Sequence, residues 1–254
     1  LSLNMAEGEG AAASAETERT MNLKALVIGG TGAVGKCLVG ELLSSKNFSK
    51  VVVLGRRNAT VPDEYNVSQA DAESEGRLVQ VTVDFETLTK DSVGEHFEDG
   101  DVFFNAMGTT RRVAGSTAAF YRIDHDYPMK CVEIAKECGI KHMSLLTSIG
   151  AKANSWFLYT RTKGQIEEDC KKLNFDHLSI FRPGLLGRGE EARFVEKAFG
   201  VFMKAIQVSD VAKGMRIDAE QVAKKLRSSE AGKDEKEKMC FNADIWNLIK
   251  NEEA

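Results

Sequence analysis

Nothing in this chain is apolar for the roughly 20 consecutive residues that a membrane-spanning helix needs. The N-terminus also lacks the charged-then-apolar order of a secretory signal. No transmembrane segment is expected. Clustered cysteine is absent as well: Cys37, Cys131, Cys138, Cys170 and Cys240 contain no C-x-x-C pair, which argues against a disulfide scaffold or a zinc site and fits a reducing compartment. His96, His125, His142 and His177 show neither H-x-x-x-H nor H-E-x-x-H spacing, so no metal is expected. A formal net charge of −4 and no block of lysine or arginine leave no electrostatic footprint for nucleic acid. The first 20 residues are small, polar and without periodicity, and read as a disordered tail. Four glutamates against a single arginine disfavour a mitochondrial transit peptide. The cytoplasm is the expected compartment, with nuclear or mitochondrial-surface association left open.

What is present begins with an alternation. Short apolar runs, "KALVIG", "KVVVLG", "RLVQVTVDF", "DVFFNAMG", "HMSLLTSIG" and "HLSIFRPG", are separated by segments of helical spacing, among them a long one over about 116–138 and another over about 157–173. Continuous apolar strands joined by helical crossovers predict an α/β fold, a single doubly wound parallel sheet with helices on both faces. Residues 21–254 then form one domain, and 56–76 reads as a polar loop. In such a sheet, ligands bind beyond the carboxyl ends of the strands. The unusual polar residues of the chain gather at that edge.

The first strand runs into Gly29, Gly32 and Gly35 at three-residue steps, then into a helix. Glycine allows a tight turn and close approach of a ligand, and the helix start offers free N–H groups to an anion such as a pyrophosphate. Ordinary turn glycines would give the same triplet, so the rest of the chain must decide. About 20 residues on, where a carboxylate would receive a ribose 2′-hydroxyl, the chain reads G-R-R. A guanidinium fork matches a phosphate better than a hydroxyl, so Arg56 and Arg57 favour NADP(H) over NAD(H).

Tyr159 and Lys163 in "YTRTK" share one helix face, where a nearby ammonium favours phenolate and makes the tyrosine a usable proton donor or acceptor. Eleven residues earlier Ser148 ends a strand run, placing its hydroxyl at the same sheet edge; in isolation it would equally suit a turn or a helix cap. Strand alternation sends the neighbouring Thr147 to the other face.

Together these residues, with "VDF" at Asp84 and "NAMG" at 105–108, resemble the short-chain dehydrogenase/reductase superfamily over about residues 22–190. Within it, "VVVLGRR", "MGTTR", "DHDY", "LLTSIGA" and "FRPG" are most similar to the atypical branch containing the Tat-interacting-protein type of oxidoreductase. The resemblance implies a Rossmann-type, NAD(P)-binding domain and residue roles. Thr31, Gly32, Ala33 and Val34 would meet the cofactor pyrophosphate and Asp84 the adenine amino group. Met107 and Gly108 would line the adenosine ribose, and Leu186 would cover the nicotinamide. Lys163 would hold the nicotinamide ribose, and Ser148 would orient a substrate carbonyl.

The chain departs from the superfamily pattern at Asp124, where an asparagine is common, which puts a proton relay through that helix in doubt. The region after about 190, expected on the substrate side, matches weakly. Its apolar stripe of Phe194, Val195, Ala198, Phe199 and Phe202 reads as a helix packing on the sheet or on a second copy, and Lys224, Lys225 and Arg227 as a solvated helix face. Two functions are expected from these features. One is an NADP-dependent oxidoreductase acting on a small carbonyl or alcohol substrate. The other is an NADPH-binding regulatory protein with little turnover, whose protein partners the resemblance makes credible.

Overall fold

The computed structural model describes residues 20–187, 205–228 and 236–254. The aromatic stripe at 194–202 and almost all of the expected tail lie outside these residues. Strand β1 (Leu23–Ile28) leads into α1 (Ala33–Ser44), β2 (Phe48–Gly55), α2 (Gln69–Ser74), β3 (Leu78–Thr82), α3 (Lys90–Phe97) and β4 (Val102–Asn105). Then follow α4 (Arg111–Ala114), α5 (Thr117–Tyr121), a π-helical turn (Arg122–Asp126), α6 (Tyr127–Glu137), β5 (His142–Leu146), α7 (Leu158–Lys172) and β6 (His177–Phe181). A short pair, β7 (Leu186–Gly187) and β8 (Ile206–Gln207), precedes α8 (Val208–Arg227), β9 (Glu237–Cys240) and α9 (Asn242–Glu252).

The main sheet has the order β3-β2-β1-β4-β5-β6-β9, with every neighbouring pair parallel. The chain therefore reverses its direction of travel between β1 and β4, and a crevice opens there beyond the strand ends. Alternation along the buried strands supplies both cores. Ala25 and Val27 of β1 join Val51 and Val53 of β2 under α1 and α8, whereas Leu26, Ile28, Val52 and Leu54 face α3, α6 and α7. The segment expected as a loop at 56–76 contains α2. Ser68 caps it by accepting from the Asp71 amide, a local signal that the acidic composition obscured. The long helical segment expected near 116–138 is broken by the π-turn.

On the α8 face, β5 and β6 replace apolar residues with His142, Ser144, His177 and Ser179. Ser179 Oγ donates to Asp218 at 2.5 Å, Lys238 pairs with Asp218 at 2.6 Å, and His142 Nε2 lies 3.1 Å from Ser179 Oγ. Burial pushes the His142 imidazole down to about 3, against the opposing pull of Asp218. Lys224, Lys225 and Arg227 are exposed, and Arg227 also joins Asp101 at 2.9 Å and the Met21 carbonyl, tying α8 to the start of the sheet.

Candidate functional site

The glycine turn lies where β1 meets α1. Gly29 has φ +82°, and a Cβ there would sit 2.4–2.5 Å from the Ala106 and Met107 backbone after β4. A Cβ on Gly35 would sit 2.1 Å from the Gly29 carbonyl oxygen. Both positions exclude any side chain, Gly29 by conformation and contact, Gly35 by contact alone. Gly32 is the residue preceding α1, and no side chain caps the amides of Ala33, Val34 and Gly35. The first turn also carries no acidic residue, so its positive end is left to an external anion.

A cleft of about 250 Å³ runs from this turn across the crevice. Gly29, Thr31 and Gly32 form its floor, Arg56 and Arg57 one end, and Met107 and Gly108 the other wall. Both arginines are exposed, and among the described residues neither has an ion-pair partner. Phe85 and Tyr127, stacked with centroids 5.5 Å apart, give the cleft an aromatic side that the sequence did not reveal. The loop after β4 is shaped by buried Asn105, whose Oδ1 accepts from the Met107 amide at 3.0 Å.

Behind the Met107–Gly108 wall lies Lys163 of α7. Lys163, only 5% exposed, places Nζ 3.4 Å from the Met107 carbonyl oxygen and 2.9 Å from Asp124 Oδ1. A Cβ on Gly108 would lie 3.4 Å from that same Nζ. Tyr159, one turn earlier, is 45% exposed, and its ring tilts against Phe120 with centroids 6.3 Å apart. Ser148 follows the end of β5 by two residues, and its Oγ is buried with no hydrogen-bond partner among the described residues. Its neighbour Thr147 turns the other way and donates to Glu167 Oε1 at 2.5 Å, within a cluster that includes Arg182.

Backbone contacts lock the Ser148 loop to α7. The Ala151 amide donates to the Ser148 carbonyl at 3.1 Å and the Lys152 amide to the Thr160 carbonyl at 3.0 Å. A Cβ on Gly164 would come within 2.2 Å of the Lys152 and Ala153 backbone, so only glycine lets the loop and the helix approach this closely. Gly164 carries no motif, and sequence reasoning passed over it. In the sequence Asp124 stands out only as a departure from the superfamily pattern. It is fully buried, accepts from the Thr109 amide at 2.8 Å and faces Lys163. Burial pushes its carboxyl upward, opposed by Lys163 and the Thr109 amide.

Asp84 and Leu186 are among the expected residues that do not line the cleft. Asp84 spends its carboxylate locally, accepting from the Glu86 amide at 3.0 Å and the Thr87 hydroxyl at 3.4 Å. Leu186 packs on the core beneath α8, and its neighbour Leu185 is the exposed residue. Of the other candidates, Gly29, Thr31, Gly32, Arg56, Arg57, Met107 and Gly108 line the cleft, Lys163 lies behind its Met107–Gly108 wall, and Ser148 and Tyr159 are not among the lining residues. The uncapped helix start and the cradle closed to any side chain at Gly29 fit the pyrophosphate of a nicotinamide dinucleotide.

A family model described as NAD(P)H-binding matches residues 29–217, most of the chain. The chain belongs to this family. Within the short-chain dehydrogenase/reductase superfamily it is similar to rat "Protein HTATIP2", 42% identical over 172 residues, which cover 67% of this chain and 66% of that one. It is also similar to "Protein FMP52, mitochondrial" of Candida albicans, 33% identical over 207 residues, covering 80% and 85%. Among solved structures, UDP-glucuronic acid 4-epimerase from Bacillus cereus in complex with NAD aligns with a TM-score of 0.60 at 15% identity, covering 86% of this chain and 76% of that one. That likeness concerns the fold alone.

Proposed function

We propose that the protein is an NADP-dependent short-chain oxidoreductase that moves hydride between NADPH and a carbonyl or alcohol substrate. The observation that carries this reading is Lys163 of α7, whose ammonium lies against the Met107–Gly108 wall of the cleft, with a half-exposed Tyr159 one helical turn earlier; the buried Ser148 hydroxyl, without a hydrogen-bond partner among the described residues, completes the set by its family resemblance. The reduced nicotinamide, when bound, supplies hydride to the carbonyl carbon. Ser148 donates a hydrogen bond that orients the carbonyl oxygen. Tyr159 gives that oxygen its proton, so the product is an alcohol, and the phenolate left behind recovers a proton from solvent along its exposed edge. Lys163 holds the nicotinamide ribose. In oxidation the same groups act in reverse, with phenolate accepting the alcohol proton.

At the other end, the amides that open α1 hold the pyrophosphate and Arg56 with Arg57 the 2′-phosphate, which sets NADP(H) above NAD(H). The Phe85 and Tyr127 rings give the adenine an apolar wall. Among the described residues no helix is long and apolar enough to cross a membrane. A cytoplasmic location, including the mitochondrial surface, accommodates the label carried by the Candida albicans relative.

A regulatory NADPH-binding role is the second reading, favoured by the engagement of Lys163 with Asp124 and the Met107 carbonyl, an arrangement suited to anchoring a ribose. Tyr159→Phe separates the two. A reductase variant keeps NADPH binding and loses about 100-fold or more of NADPH oxidation across a carbonyl panel. Wild-type protein that binds NADPH and reduces no acceptor supports the regulatory reading, and robust turnover by Tyr159→Phe removes the mechanism.

A further inference from the structure

The ammonium that a tyrosine-assisted reduction relies on is not a free charge in this protein. Asp124 Oδ1 lies 2.9 Å from Lys163 Nζ, and the carboxylate is fully buried. Its other oxygen accepts from the Thr109 amide at 2.8 Å, so Asp124 joins α7 to the loop that walls the cofactor cleft. The π-turn makes this possible. Its extra residue per turn lets Asp124 face Lys163 while His125, the next residue, reaches Asp169 further along α7 at 2.9 Å and Asp126 at 3.0 Å.

The groups around the pair are few. From α7 come Lys163 and, a turn earlier, Tyr159; from the loop after β4 come the Met107 carbonyl, Gly108 and the Thr109 amide. His125 is turned toward the carboxylates of Asp126 and Asp169 and does not join this group. Lys163 is the only cation facing Asp124 among the described residues. An isolated ammonium stabilises a nearby phenolate, but an ammonium matched by a carboxylate presents a dipole, whose influence on a third group falls away faster with distance.

We propose that Asp124 is a positioning residue that holds Lys163 against the Met107–Gly108 loop and, by balancing its charge, biases the site toward proton donation by Tyr159, the direction of carbonyl reduction. The proposal rests on the oxidoreductase reading and deepens it, since it assigns a preferred direction. The pair also keeps Lys163 drawn toward the ribose end of the cleft. Asp124→Asn retains the size and an acceptor for the Thr109 amide but removes the balancing charge. Asp124→Ala removes both.

The test is carried out on the full chain with Asp124→Asn, Asp124→Ala and wild type. NADPH affinity is measured by fluorescence, rates are taken in both directions against pH, and the tyrosines are titrated by NMR with a 13Cζ label. Tyr159→Phe identifies the Tyr159 signal among the four tyrosines. In Asp124→Asn, NADPH affinity should stay within about threefold. The Tyr159 transition and the alkaline limb of reduction should move together to lower pH by about one unit, the scale of a unit charge about a helical turn away in a partly buried site. Oxidation at pH 7 should rise several-fold. Asp124→Ala should also lose NADPH affinity because Lys163 is no longer anchored.

An unmoved or upward-moving Tyr159 transition in Asp124→Asn overturns the proposal, and so does a fall in melting temperature with pH profiles unchanged. If wild type reduces no carbonyl, the oxidoreductase reading fails on the rate measurements. The NMR titration then decides the charge-balancing role by itself, with the same outcomes for and against.

Discussion

Replacing Arg56 and Arg57 together by alanine isolates the part of the site that chooses between phosphorylated and unphosphorylated dinucleotides. Both side chains follow or adjoin the end of β2 at Gly55, line the cleft and are exposed, so their removal should leave the fold intact. A hydrogen bond to a charged group contributes about 1.5–3 kcal/mol, and exposure with salt screening places these near the lower end. One lost contact then weakens NADPH by about tenfold and two by about 100-fold, at about 1.4 kcal/mol per decade. NADH carries no 2′-phosphate, and its affinity should change less than about threefold. Fluorescence titrations of both nucleotides at low and high salt provide the assay. The salt dependence of NADPH binding should shrink in the variant, because the released interaction is largely electrostatic. Equal NADPH affinities in wild type and variant, or parallel losses for both nucleotides, would refute the assignment of these arginines.

Two glycine variants should part binding from stability. Gly32→Asp places a carboxylate at the uncapped start of α1, where the backbone already has the φ −76° of a capping residue; it should keep or slightly raise the melting temperature while abolishing binding of both dinucleotides. Gly35→Ala forces a methyl to within 2.1 Å of the Gly29 carbonyl and should lower stability by about 1–3 kcal/mol along with binding. A Gly32→Asp protein that still binds NADPH would remove the turn from the site. The buried His142 predicts an acid-side loss of stability. Its folded value, about 3, lies below the unfolded 6.5, so the unfolded chain takes up the proton first. Stability is then full above pH 6.5 and falls by up to about 1.4 kcal/mol per pH unit as the pH drops toward 3. Denaturant unfolding of wild type and His142→Gln between pH 7 and 4 should show a shallower slope in the variant; identical slopes would sink this account.

The parallel sheet was legible in sequence because strands buried on both faces must be apolar throughout, and such runs separated by helical segments admit few arrangements. The edge residues were legible for the same reason, since polar groups at the ends of apolar runs have nowhere else to go. Helix α2 was hidden in the polar stretch that contains it because its support comes from the Ser68 cap and from Ala72 alone among its residues packing inward. Asp84 shows what a local pattern leaves open. Its carboxylate accepts from the Glu86 amide two residues on and closes a local turn, and no pattern in the sequence separates that use from the adenine contact the family resemblance implies.

The sequence alone determined the glycine turn, the arginine pair and the spacing of Tyr159 from Lys163, because each depends on neighbours within a few residues or a single turn of helix. Tertiary structure decided what those groups face. Asp124 precedes Lys163 by 39 positions in the chain, and only the π-turn brings its carboxylate to 2.9 Å from the ammonium. Gly164 matters only because the Ser148 loop lies flat against α7. The polar strip of His142 and Ser179 reads as an interruption of two apolar strands until Asp218 and Lys238 arrive from a later helix and strand to complete it. A short-range pattern constrains backbone shape, whereas the charge that a side chain meets is set by which distant segment packs beside it.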